Sequence, residues 1–143
     1  MQVKHILSQK GREVVTVTSD ATLSEAARLM ARRHIGAVVV KGRDGSIAGI
    51  FSERDLVRAI ADESVAALAK PVGSRMTRDV TTCFEFDTIE ELMETMTRGR
   101  FRHMPVVDDD QLVGIVSIGD VVKTRIEETV READSLRDYI AAR

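Results

Sequence analysis

Apolar positions along this chain keep two rhythms, and each rhythm occurs twice. Leu23, Ala26, Ala27 and Met30 follow the three-and-four spacing that lays an apolar stripe along one helix face, and Ile89, Leu92, Met93 and Met96 repeat it. These methionines therefore read as core. A hydroxyl residue with a glutamate three places on precedes each stripe, Thr22 with Glu25 and Thr88 with Glu91, the pattern of a capping box that satisfies free amides of the first helical turn. Upstream, residues 14–18 and 80–84 are rich in β-branched side chains and predict short strands. Downstream, apolar runs at 35–40 and 47–51 flank the turn Gly42-Arg43-Asp44-Gly45, and runs at 101–107 and 112–116 flank Asp108-Asp109-Asp110, so each half predicts a hairpin.

The two halves align residue by residue. One offset pairs Thr16 with Thr82, Thr22 with Thr88, Met30 with Met96, Arg32 with Arg98 and Val40 with Val106. Gly49-Ile50-Phe51-Ser52-Glu53-Arg54-Asp55 then matches Gly114-Ile115-Val116-Ser117-Ile118-Gly119-Asp120 at an offset shorter by one residue, a deletion placed in the hairpin turn, where surface loops tolerate it. A duplicated unit of strand, helix, hairpin and helix gives an α+β class of β-α-β-β-α repeats, and three short strands with helices on one face cannot bury their own apolar surface alone. Two copies must pack together. The division is 1–65 for the first repeat with its N-terminal segment and 66–143 for the second, with a linker at 61–79 that carries Pro71 and Gly73 and whose 64–70 part extends a helix. From Gly119 onward there is no glycine or proline, and Val122, Ile126, Val130, Ala133, Leu136 and Ile140 predict one long amphipathic helix. Unbroken to Arg143 it spans roughly 37 Å, longer than one small repeat is wide. Its far end needs another surface, either Val3, Ile6 and Leu7 or the same helix of a second subunit, and closed two-fold assembly favours a homodimer.

Composition narrows the functional classes. The 143 residues are 43% hydrophobic and 31% charged with a net charge of −2, the balance of a soluble domain without a membrane span. A general nucleic-acid surface is not expected, because that affinity comes from phosphate neutralisation and stacking, and the chain has no Trp and one Tyr. Residues 1–10 space Val3, Ile6 and Leu7 between polar residues and do not read as a secretory signal, so the expected location is the cytoplasm. Cys83 is the single cysteine, and its neighbours Phe84 and Phe86 suggest a buried structural thiol. His5, His34 and His103 lie too far apart for a metal set, no phosphate loop of the GxxxxGK[ST] type is present, and Asp108-Asp109-Asp110 reads as a solvated turn. No catalytic arrangement emerges from the spacing.

Chemistry concentrates where each hairpin runs into its second helix. Ser52 and Asp55, and again Ser117 and Asp120, stand three apart at the helix start. A helix N-terminus offers unpaired amides and a positive dipole end to a phosphate, the Ser hydroxyl adds a hydrogen bond, and the two Asp oxygens suit the vicinal hydroxyls of a ribose. An ordinary helix cap uses the same residues with no ligand, and duplication preserves a cap as readily as a site. Gly49 and Gly114 admit a close approach, either of a ligand or of a neighbouring strand.

The segments Ile35-Gly36-Ala37-Val38-Val39-Val40, Gly49 to Asp55, Arg102-His103-Met104-Pro105-Val106-Val107 and Gly114 to Asp120 resemble CBS domains, whose tandem pair is a Bateman module. The resemblance runs from about Val3 to about Glu128. It implies two repeats related by a pseudo-two-fold axis, with clefts that take adenosine ligands: AMP or NAD(H) first, then ATP, ADP or S-adenosylmethionine. It further implies that Ser52 and Ser117 contact phosphate, that Asp55 and Asp120 hold ribose hydroxyls, and that Thr16 and Thr82 lie near the adenine. Arg54 offers a cationic phosphate contact that its counterpart Gly119 lacks, so the two clefts should differ. Arg102 and His103 are candidates to neutralise phosphate from the second hairpin, where the first repeat has Gly36 and Ala37. The expected role is a non-catalytic sensor that signals nucleotide occupancy to a partner. The alternative is a structural adaptor whose clefts have degenerated.

Overall fold

Both expected capping boxes close in the computed structural model, which describes residues 1–142: Thr22 accepts from the Glu25 amide ahead of one helix and Thr88 from the Glu91 amide ahead of its copy. The chain runs α1 (Val3–Lys10), β1 (Thr16–Thr18), α2 (Leu23–Arg33), β2 (Ala37–Lys41), β3 (Ile47–Ser52), α3 (Glu53–Glu63), two 3-10 turns (Ser64–Ala69 and Val72–Ser74), α4 (Ile89–Gly99), β4 (His103–Asp108), β5 (Gln111–Ser117) and α5 (Ile118–Ala141). Helices α2 and α4 end alike, on His34 and Arg100 in the left-handed region, so the duplication extends to the caps.

The chain divides into two compact units. One holds Glu13–Thr81 with Asp109–Leu112, and the other holds Met1–Arg12, Thr82–Asp108 and Val113–Arg143. Residues 1–12, grouped with the first repeat in the sequence, thus pack with the body of the second.

In the first unit the strand order is β1-β2-β3, with β1 parallel and β3 antiparallel to β2. Val38 faces Phe51 across the hairpin and Ala37 faces Ser52. A core of Leu23, Ala26, Met30, Val38, Val40, Phe51, Ala59, Ala67, Val72 and Met76 lies beneath. The linker belongs to this unit. Residues 64–69 continue from α3 as a tight 3-10 turn rather than as α-helix, and beyond them Arg75 ties the linker back to the end of α3 by ion pairs to Asp62 and Glu63. The first strand begins at Thr16 rather than at Val14.

The second unit departs from its sequence reading at two places. Strand β4 pairs with β5 alone, and the expected strand at 80–84 shrinks to a single parallel bridge, with the Cys83 amide donating to Pro105 O at 3.0 Å and the Val107 amide to Cys83 O at 2.9 Å. The cause is local: the Asp87 carboxylate captures the Phe84 amide at 2.8 Å and turns the chain away from the sheet. Phe84 and Phe86 are exposed and do not bury Cys83, as had been expected of them; the thiol packs instead among Leu92, Val106, Val116 and their neighbours. The two-residue turn at the β4-β5 tip places Asp109 and Asp110 both at positive φ, the conformation that matches hairpin twist with the fewest residues. That accounts for the one-residue deletion.

Helix α1 was not foreseen. Its N-terminal amides are satisfied from far along the chain, Val3 by Asp87 O at 2.9 Å and Lys4 by Glu85 O at 2.8 Å, and Val3, Ile6 and Leu7 enter the core beside Ile89, Leu92, Val116 and Val121. The first half of α5 packs here through Val121, Thr124 and Glu128, whereas Ile126, Val130, Leu136, Tyr139 and Ile140 are exposed. The helix ends at Ala141, and Arg143, to which it was expected to run, lies outside the described residues. Among the described residues no helix is long and apolar enough to cross a membrane.

Burial and the nearby Asp87 carboxylate push the Cys83 thiol up to about 12. Since the thiolate is the nucleophile, a disulfide reagent at pH 8 should label Cys83 only on the unfolding timescale and at once in denaturant. Stoichiometric labelling of the native protein within minutes would contradict the packing.

Candidate functional site

Each hairpin delivers its last strand residue as the cap of the following helix. Strand β3 ends on Ser52, whose extended backbone and hydroxyl cap α3; the Asp55 amide donates to Ser52 Oγ at 3.3 Å, and the Ser52 amide donates to Asp55 Oδ2 at 3.0 Å. Strand β5 ends on Ser117 in the same way, with Asp120 N to Ser117 Oγ at 3.2 Å and Ser117 N to Asp120 Oδ2 at 2.9 Å. The capping reading of both pairs is therefore realised in the fold. A carboxylate has two oxygens, however, and the box uses one edge of it.

What reaches the rest of each carboxylate differs between the units. Asp55 is buried, and Thr77 Oγ1 donates to its Oδ1 at 3.2 Å. Asp120 is more open, and Lys10 Nζ donates to its Oδ2 at 2.7 Å while also bonding Ile115 O at 3.1 Å. Burial raises the Asp120 carboxyl, but the Lys10 ammonium and the Ser117 hydrogen bonds together outweigh it and hold it below the usual carboxylate range.

The two glycines explain how these partners arrive. A Cβ on Gly49 would lie 2.7 Å from Thr77 O and 2.8 Å from Met76 Sδ, so only glycine admits the bridge in which Ile50 and Thr77 exchange hydrogen bonds. A Cβ on Gly114 would lie 2.7 Å from Leu7 Cδ2, so glycine there admits α1. The neighbouring strand is observed at Gly49, where residue 77 bridges to β3, whereas at Gly114 the close neighbour is a helix side chain, Leu7 of α1. The offset that pairs Thr16 with Thr82 also pairs Lys10 with Met76 and Gly11 with Thr77. Equivalent segments thus arrive beside the two acids carrying different chemistry, a hydroxyl at Asp55 and an ammonium at Asp120.

The remaining sequence-read residues fall around these helix starts. The Arg102 carbonyl accepts the Ile118 amide at 2.8 Å, as Gly36 accepts Glu53 at 3.0 Å, which places the exposed Arg102 beside the first turn of α5. His103 follows at the head of β4, half-buried. Arg54 is exposed on the first turn of α3, and Gly119 leaves the corresponding place on α5 open, with Ser117 Oγ its nearest neighbour at 3.6 Å. Thr16 opens β1 opposite Val39, and Thr82 is exposed next to the Cys83 bridge. Sequence reasoning missed Lys10 and Thr77. Neither has a like residue in the other repeat, so the duplication that revealed Ser52, Asp55, Ser117 and Asp120 was blind to them. Among the described residues no group of His, Cys, Asp and Glu side chains is arranged to hold a metal ion.

A mixed α+β duplication with a Ser–Asp box at each strand-to-helix junction defines a tandem pair of small repeats. The CBS domain model matches residues 3–62 and again 70–127, and the chain belongs to the CBS-domain family. It is similar to a CBS-domain-containing protein from Agrobacterium tumefaciens, 51% identical with a TM-score of 0.85, covering 87% of this chain and 92% of that one. The CBS-domain pair of protein MJ0100, solved in complex with 5′-methylthioadenosine and S-adenosyl-L-methionine, is 26% identical with a TM-score of 0.79 over 90% of this chain and 98% of that one. A CBS domain protein from Pyrobaculum aerophilum complexed with AMP is 29% identical with a TM-score of 0.74, covering 84% and 89%.

Proposed function

We propose that this chain is a non-catalytic sensor of adenosine nucleotides, with AMP or NAD(H) as the foremost ligands and ATP, ADP or S-adenosylmethionine next. The observation that carries the reading is the pair of equivalent Ser–Asp helix starts in a fold whose relatives crystallised with AMP and with methylthioadenosine and S-adenosylmethionine. In this reading Ser52 and Ser117 donate to phosphate, Asp55 and Asp120 receive ribose hydroxyls, and Thr16 and Thr82 lie along the adenine. Arg54 serves the first site, and Arg102 and His103 serve the second. By duplication the repeats are residues 1–65 and 66–143, with residues 1–12 packed in the compact unit of the second and the linker in that of the first. The module works in the cytoplasm as a homodimer, for which the exposed Ile126, Val130, Leu136 and Ile140 on α5 supply an apolar face. Occupancy reaches a regulated protein only through different ligand affinity in two states of the module.

One observation favours the adaptor reading: the Asp55 box already has a third partner in Thr77, so that acid is satisfied without a ligand. Calorimetry with AMP, ATP, NAD, NADH and S-adenosylmethionine separates the two. The sensor reading expects binding of at least one of them, and Asp120→Ala to weaken it by about tenfold to a hundredfold, the worth of hydrogen bonds to a charged group. The same variant should remain folded by circular dichroism, because Ser117 still caps α5. Unchanged affinity, or no binding by the wild type, supports the adaptor.

A further inference from the structure

Lys10 has no place in the duplicated motif, yet it is the residue on Asp120. Its ammonium and the Ser117 amide both donate to Oδ2 of that carboxylate, which fills the two lone pairs of one oxygen. Both of these contacts fall on the same oxygen. A ribose diol gripped by both oxygens must therefore displace Lys10. The displaced ammonium sits at the α5 start, held by Ile115 O two residues before Ser117, and it is tethered by a helix whose Leu7 is buried. Leaving a carboxylate without a new anionic partner strands a cation beside the ligand; moving onto a phosphate replaces one charge-assisted bond with another. At Asp55 no such exchange arises, because Thr77 brings an uncharged hydroxyl.

We infer that Lys10 sets the charge selectivity of the Asp120 site: it screens the acid against neutral or cationic adenosine compounds and yields to a nucleotide whose 5′-phosphate takes it over. The inference rests on the sensor reading and names the ligand class of the second site, anionic adenosine nucleotides. The first site, where the uncharged Thr77 hydroxyl meets the acid, lacks this filter.

Calorimetry of Lys10→Met, Lys10→Arg and Asp120→Ala with adenosine and AMP tests it. Lys10→Met should tighten adenosine and weaken AMP, lowering the AMP-to-adenosine affinity ratio about tenfold or more, the scale of one charge-assisted hydrogen bond. Lys10→Arg keeps the charge and should keep the ratio. In an Asp120→Ala background Lys10→Met should no longer tighten adenosine, because the carboxylate it screened is gone, while its weakening of AMP through the phosphate persists. A ratio unmoved by Lys10→Met while Asp120→Ala still weakens AMP overturns the inference and leaves the sensor reading intact. Failure of the wild type to bind either compound overturns the inference; the sensor reading falls with it only if ATP, NAD, NADH and S-adenosylmethionine also fail to bind.

Discussion

Replacing Phe51 with alanine should destabilise the protein by about 3–5 kcal/mol, seen as a lower urea midpoint at an unchanged slope. Phe51 is fully buried, whereas Phe84 and Phe86 are exposed, so it is the main aromatic volume in a chain with only 3% aromatic residues. It faces Val38 across the hairpin and shares a core with Leu23, Met30 and Val72, side chains fixed on separate elements that cannot all close on the void. Residual cavity adds to the lost transfer energy. Native domains hold roughly 5–15 kcal/mol in total, so the variant should lie near the edge of folding. The residue after it is Ser52, and a loosened β3 therefore reaches the α3 start as well. A loss under about 1 kcal/mol would mean that the α2 and linker side chains collapse onto the site, against the interlocked packing described above.

The sequence disclosed those parts of the molecule whose causes are local. Thr22 with Glu25 and Ser52 with Asp55 close boxes within three residues, and the hairpins follow from apolar runs around short turns; these were legible because the partners lie side by side in the chain. Helix α1 was not, since its first amides are capped by Asp87 and Glu85 carbonyls rather than by a nearby side chain, and Gln2 makes no side-chain cap. The strand expected at 80–84 failed for the converse reason: a local competitor, the Asp87 carboxylate, took an amide that β-propensity alone assigned to the sheet. At the candidate site the duplication exposed what the two helix starts share. It concealed what distinguishes them, Thr77 and Lys10, because each is brought in by a segment whose counterpart carries a different residue.

The distinguishing contact depends in turn on one packing pair, and that gives the second large effect. Leu7 is buried against the place where Gly114 lacks a side chain. Leu7→Ala should cost about 2–5 kcal/mol through the cavity it leaves, and Gly114→Ala about 1–3 kcal/mol through overpacking against Leu7 Cδ2. The two errors are complementary, one removing volume and the other adding it at the same point. The double variant should therefore be more stable than the sum of the singles predicts, by about 0.5–3 kcal/mol in a double-mutant cycle from chemical denaturation. Additivity would show that Leu7 and Gly114 do not share a contact and that α1 is held by Val3 and Ile6 alone. Because Leu7 lies one turn before Lys10 and Gly114 three residues before Ser117, this pair fixes both ends of the bond between Lys10 and Asp120. Coupling in stability should then be matched by a loss of AMP-over-adenosine preference in Leu7→Ala, where the lysine keeps its charge and loses its position.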